Sequence, residues 1–142
     1  MSTHNDLSIA RAHLIKDRLS FVIVKNGKII AESKSSGIKA LLDTITIYQE
    51  NIVGAALADK VVGRAAILLA ARARVSTVYA KVVSVSALEL ASSLPLSLIY
   101  DKTTKIILNR RKNDTCPFEK IVSSTEDPEK AYQVLKECTM GL

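Results

Sequence analysis

The chain has no tryptophan, and aromatic residues make up only 4% of its 142 positions. Its core must therefore be built from Val, Ile, Leu and Ala, a composition that favours helices packed on a sheet. Cysteine is scarce as well: Cys116 and Cys138 are the whole supply. One pair, with no signal-peptide pattern ahead of it, makes no disulfide framework and points to a reduced, cytoplasmic setting. Long hydrophobic runs are missing. The longest, Ala65 to Ala71, is far too short to cross a bilayer, so no membrane partner is expected. Internal repeats, low-complexity tracts and long linkers are missing too, and a single domain over residues 1–142 is the natural expectation.

Several chemistries are also excluded. There is no G-x-x-x-x-G-K-[ST] loop and no G-x-G-x-x-G. The two histidines, His4 and His13, have no Cys or carboxylate at metal-ligand spacing, so no metal site and no cofactor is expected. A serine triad lacks its histidine. What is present is positive charge: a net +6 and a pI of about 9.4. Such a balance permits phosphate or nucleic-acid binding. The basic residues are dispersed, however, and Arg110-Arg111-Lys112 is the one tight triplet, without interleaved aromatics. Nucleic acid is thus disfavoured as a partner.

Periodicity predicts helices over Asp6 to Arg18, Ile38 to Glu50, Asp59 to Ala73 and Ser84 to Ser93. The third is apolar on most sides and should be buried. Strands are expected over Ser20 to Lys25, Lys28 to Glu32, Asn51 to Ala58, Ser76 to Val83, Leu96 to Tyr100 and Lys105 to Asn109. Asn26-Gly27 between the first two is a hairpin signal, because both turn positions need positive φ. Cys116-Pro117 and Asp127-Pro128 announce short helices over Lys120 to Ser124 and Glu129 to Cys138. The order of elements implies a three-layer α/β/α sandwich with a mixed sheet of about five strands.

Polar residues gather in two places. In the first, Asp59 is placed to cap the third helix, and Lys60 and Arg64 would share one of its faces. Two cations near a helix N-terminus oppose the dipole unless an anion is close: Asp59, another carboxylate, or a bound phosphate. Gly63 costs the helix about 1 kcal/mol against Ala and suggests a close approach of backbone. The second place is Cys116-Pro117-Phe118-Glu119. With Cys116 as N-cap, Glu119 could fold back as in a capping box, and a thiol at that position is a candidate nucleophile or redox-sensitive group. It could equally be a small hydrophobe starting a helix. Asn109-Arg110 ends a strand candidate, where open α/β sheets bind ligands.

Taken together, Gly37-Ile38, Leu57-Ala58-Asp59-Lys60-Val61-Val62-Gly63-Arg64-Ala65-Ala66, Asn109-Arg110 and Cys116-Pro117-Phe118-Glu119 resemble a small prokaryotic family of unknown function with a cytidine-deaminase-like fold. One departure is Ala40, where that family is expected to carry Pro. Zinc deaminases place H-x-E at one helix start and P-C-x-x-C at the next. Here the corresponding positions hold Asp59, Gly63 and Ala65, then Val83-Ser84-Val85-Ser86. The resemblance thus implies the fold and a pocket at the helix N-termini, but not the zinc-activated water.

The expectation is a metal-free deaminase relative that binds a nucleotide or another phosphorylated small molecule. Lys60, Gly63, Arg64, Asn109 and Arg110 would bind the ligand, and Asp59, Cys116 and Glu119 are the candidates for any catalysis. Two alternatives stay open: an enzyme working through Cys116, and a non-catalytic interaction or assembly protein. A homo-oligomer is compatible with all three.

Overall fold

The computed structural model describes residues 3–35, 37–108 and 116–140, with side chains over 5–35, 37–108 and 116–139. Helix α1 (Thr3–Lys16) leads into strands β1 (Phe21–Lys25) and β2 (Lys28–Ser33). Next come α2 (Ile38–Tyr48), a 3-10 turn (Gln49–Ile52), β3 (Ala56–Val62), α3 (Arg64–Arg72), β4 (Thr77–Ser84), α4 (Val85–Ala91) and β5 (Ser97–Thr104). Two helices follow, α5 (Pro117–Ile121) and α6 (Pro128–Met140).

The five strands form one mixed sheet in the order β2-β1-β3-β4-β5. The β1–β2 hairpin is antiparallel, as is the β1–β3 pair, while β3, β4 and β5 run parallel and are joined by α3 and α4. The hairpin forms where Asn26 and Gly27 take φ of 52° and 77°, as the turn requires. The Asp6 carboxylate in α1, itself buried, accepts from both turn N–H groups at 3.0 and 2.8 Å and fastens α1 to the hairpin.

Alternation along the strands splits the core in two. On one face α1 covers Val22, Val24, Ala56, Ala58 and Tyr79 with Leu7, Ala10 and Leu14, residues spaced three and four apart on one helical side. On the other, Phe21, Ile23, Leu57, Val78 and Ala80 lie beneath α2, α3 and α4. Helix α6 packs over α3 and adds Ala131, Tyr132 and Leu135. With the sheet below and α6 above, α3 has no solvent side, which is why Ala65 through Ala70 are all buried. The three-layer arrangement with five strands agrees with expectation.

Several boundaries differ. The strand expected to end at Ala58 runs on to Val62, so Asp59 and Lys60 belong to β3 and not to a helix. Val61 and Val62 are β-branched, and their pairing with Val82 and Val83 carries the strand further than local preference indicated. Residues at 49–52 form the 3-10 turn in place of the expected strand start. The strand expected over Leu96 to Tyr100 is β5 and runs on to Thr104, whereas 105–107, where a further strand was expected to start, are not in a strand. Helix α5 begins at Pro117 and ends at Ile121, several residues earlier than expected.

Candidate functional site

Gly63 is the N-cap of α3, with extended backbone (φ −110°, ψ −170°) and no side chain to offer the free N–H groups of the first turn. Those groups are nevertheless satisfied. Arg64 N–H donates to Glu119 Oε1 and Ala65 N–H to Glu119 Oε2, each at 2.8 Å. A carboxylate in this position is favoured twice, by charge-assisted hydrogen bonds and by the positive end of the helix dipole. Gly63 makes room for it, since a Cβ built there would overlap the Glu119 carboxyl group. The close approach that Gly63 suggested is to a side chain from 56 residues further along the sequence.

Glu119 belongs to α5, which Cys116 and Pro117 open. The expected capping box is corrected here. Cys116 is the N-cap, with no side-chain cap bond, and the Glu119 carboxylate turns away from its own helix to α3. Burial explains the choice. The start of α5 is partly open to water, whereas Ala65 is fully buried, and an orphaned buried N–H costs more than a wet one. Cys116 is held through its own N–H, which donates to Ile107 C=O at 2.7 Å.

Arg64 completes the interlock from the other side. Its Nε donates to Val122 C=O at 3.2 Å, Nη2 to Thr125 C=O, and Nη1 to Ser86 Oγ at 3.4 Å. Val122 is the C-cap of α5, so the guanidinium meets the carbonyl end of that helix, where a cation is favoured. Arg64 and Glu119 thus bind α3 and α5 together at both ends of α5. Lys60 does not share a helix face with Arg64. It is exposed on β3, with its N–H bonded to Ser20 C=O at 2.9 Å and no side-chain partner among the described residues.

Asp59 does not cap α3, being four residues ahead of the N-cap Gly63 and paired in β3 with Phe21 and Ala80. Burial of its carboxyl raises the pKa from 3.8 to about 7, against a smaller opposing effect of the Val61 and Lys60 N–H groups. Ser84 caps α4, accepting from Ala87 N–H at 3.1 Å. The C-terminal ends of β3 and β4 therefore carry Asp59, Lys60, Gly63, Arg64 and Ser84, with Glu119 brought in by α5. Asn109 and Arg110 lie outside the described residues.

These residues do not suit a catalytic zinc ion of the deaminase kind. Asp59, Gly63, Ala65 and Ser84 offer no thiolate or imidazole, and no group of three or more His, Cys, Asp or Glu among the described residues could hold a metal ion.

A family model described as a domain of unknown function, DUF1893, matches residues 9–139. The chain belongs to this family. A solved DUF1893 protein from Thermotoga maritima is similar at 31% identity with a TM-score of 0.85, over 94% of this chain and 89% of that one. Two solved deaminases resemble this DUF1893 chain more distantly. The dCMP deaminase of the cyanophage S-TIM5 is 16% identical with a TM-score of 0.48, over 72% of this chain and 96% of that one. The Thermotoga maritima diaminohydroxyphosphoribosylaminopyrimidine deaminase/5-amino-6-(5-phosphoribosylamino)uracil reductase is 17% identical with a TM-score of 0.48, over 70% and 36%. No curated protein matches the chain. No helix among the described residues is long and apolar enough to cross a membrane.

Sequence reasoning missed one polar cluster beneath α1. There Tyr79 Oη donates to Asp101 at 2.6 Å while Arg11 stacks over the Tyr79 ring at 4.8 Å. It fixes α1 to β4 and β5, and a Tyr within a β-branched run was the only signal of it.

Proposed function

We propose that this DUF1893 chain is a cytoplasmic small-molecule-binding protein that takes a nucleotide or another phosphorylated compound at the C-terminal ends of β3 and β4. The observation that carries the reading is the carboxylate held by the first two N–H groups of α3, over a residue without a Cβ. A helix start that grips a carboxylate this way has the donors a phosphoryl group uses. In this reading Glu119 is the internal occupant. A ligand phosphate displaces it and bonds to Arg64 and Ala65 N–H, while Lys60 supplies the charge. Asp59, carrying its proton up to about pH 7, can donate to a ligand acceptor that an ionised carboxylate would repel. Cys116, at the start of the helix that bears Glu119, would move with it.

Titration with adenosine monophosphate, followed at the Arg64 and Ala65 amide resonances, tests this. Glu119→Gln keeps the shape of the side chain but removes the competing charge, and should bind about tenfold more tightly than the wild type, the equivalent of about 1.4 kcal/mol. Lys60→Ala should weaken binding severalfold in either background. No binding by Glu119→Gln, or an affinity indifferent to Lys60, would refute the proposal.

A further inference from the structure

At the opposite end of the sheet the hairpin presents an arrangement that this site leaves unexplained. Lys25 and Lys28 stand directly across from each other in the β1–β2 register, on either side of the Asn26-Gly27 turn. Like charges opposed in a ladder are destabilising, and a hairpin gains nothing from them by itself. The two lysines border an open groove of about 500 Å³ that runs from the turn to the end of α2, where Tyr48 and Asn51 form the far wall. That volume is within the range of small-molecule sites, roughly 300–1,000 Å³.

The lining is chemically one-sided. No carboxylate among the described residues borders this groove. Glu50 lines a smaller depression that shares Tyr48 and Asn51 with it, and Asp6 meets the turn from the α1 face, its oxygens already bonded to Asn26 and Gly27 N–H. Lys25, Asn26, Lys28, Tyr48 and Asn51 all reach the groove, and none of these side chains has a hydrogen-bond or ion-pair partner among the described residues. Two cations, two amides, a phenol and the edge of Ile30 thus surround one concavity with their bonding capacity unspent.

We propose that this groove is a second binding site, specific for a small phosphorylated molecule. Its phosphoryl group sits between the Lys25 and Lys28 ammonium groups and relieves their repulsion. Asn26 and Asn51 donate to it or to the neighbouring oxygens. The Tyr48 ring and Ile30 offer an apolar wall for the organic part of the ligand. The site lies at the end of β3 that begins with Ala56, across the sheet from Asp59 and Gly63, so the two sites can be separated residue by residue.

Inorganic phosphate and adenosine monophosphate, titrated at constant ionic strength into 15N-labelled protein, are the probes. Saturable amide shifts are expected at residues 25–30 and 48–51, with the nucleotide binding more tightly than phosphate. Lys28→Glu puts opposite charges across the hairpin. It should cost at least about tenfold in affinity for both probes while unfolding at a temperature equal to or above the wild type. That combination separates lost binding from lost folding. Shifts that bypass the hairpin, or a Lys28→Glu protein that binds as the wild type does, would overturn the proposal.

Discussion

Gly63→Ala is expected to destabilise the protein by about 2 kcal/mol, Glu119→Ala by a similar amount, and the pair by no more than Glu119→Ala alone. The backbone at Gly63 is extended, a conformation open to alanine, so the residue is not glycine for torsional reasons. A methyl group there meets one obstacle, the Glu119 carboxyl group, which lies at the end of a flexible side chain and can swing aside. Swinging aside abandons two partly buried N–H groups, and that loss is the cost. Once Glu119 has been truncated there is nothing left to evict. The same alanine should then be neutral, or stabilising by several tenths of a kcal/mol through the restricted unfolded chain. Urea unfolding of the four proteins measures the cycle. A coupling energy near 2 kcal/mol is the expected result, and additive losses would show that Gly63 serves some other purpose.

The second large effect is in the pH dependence of stability. The Asp59 carboxyl keeps its proton in the folded chain up to about pH 7, whereas unfolded it ionises near 3.8. Between those values the folded state binds more protons than the unfolded one, so this residue makes stability fall as pH rises. Its favourable contribution is complete below pH 3.8 and gone above about 7. Asp59→Asn cannot ionise. Its stability relative to the wild type should therefore climb between pH 4 and 7, reaching an advantage of about 1–2 kcal/mol once water reaching this partly exposed residue is allowed for. Denaturant melts of both proteins across that range give the difference directly. A difference that stays flat would mean that Asp59 is ionised throughout.

What could be read from the sequence divides by distance along the chain. The hairpin was legible because Asn26-Gly27 encodes its own torsions. The buried character of α3 was legible because its residues are apolar on most sides. The start of α3 was not, because Val61 and Val62 are drawn into β3 by partners on β4, and no window of local sequence contains both strands. The site divides in the same way. Gly63, Arg64 and Glu119 were all marked as unusual, and another carboxylate was one of the anions expected at the helix start; what local sequence did not show is that Glu119 is that carboxylate, in place of the cap expected from Asp59 and of the capping box expected with Cys116. A clue was present in Val62-Gly63, which supplies no capping side chain immediately before a buried helix. Such a helix must find its acceptor elsewhere in the fold, and the two polar clusters that looked separate are the two halves of one contact. The Lys25–Lys28 opposition was also implicit in the two-residue turn, since that turn fixes the register.

The most direct test of the account is the response of the Arg64 and Ala65 amides to phosphate in Glu119→Gln protein. If the start of α3 is a phosphate site held by an internal carboxylate, both amide resonances should move on the Glu119→Gln substitution. They should then move again, saturably, as phosphate is added, while the wild-type amides respond only at much higher concentration. Arg64 and Ala65 amides that ignore phosphate in the variant would contradict the account and leave Glu119 as a structural cap alone.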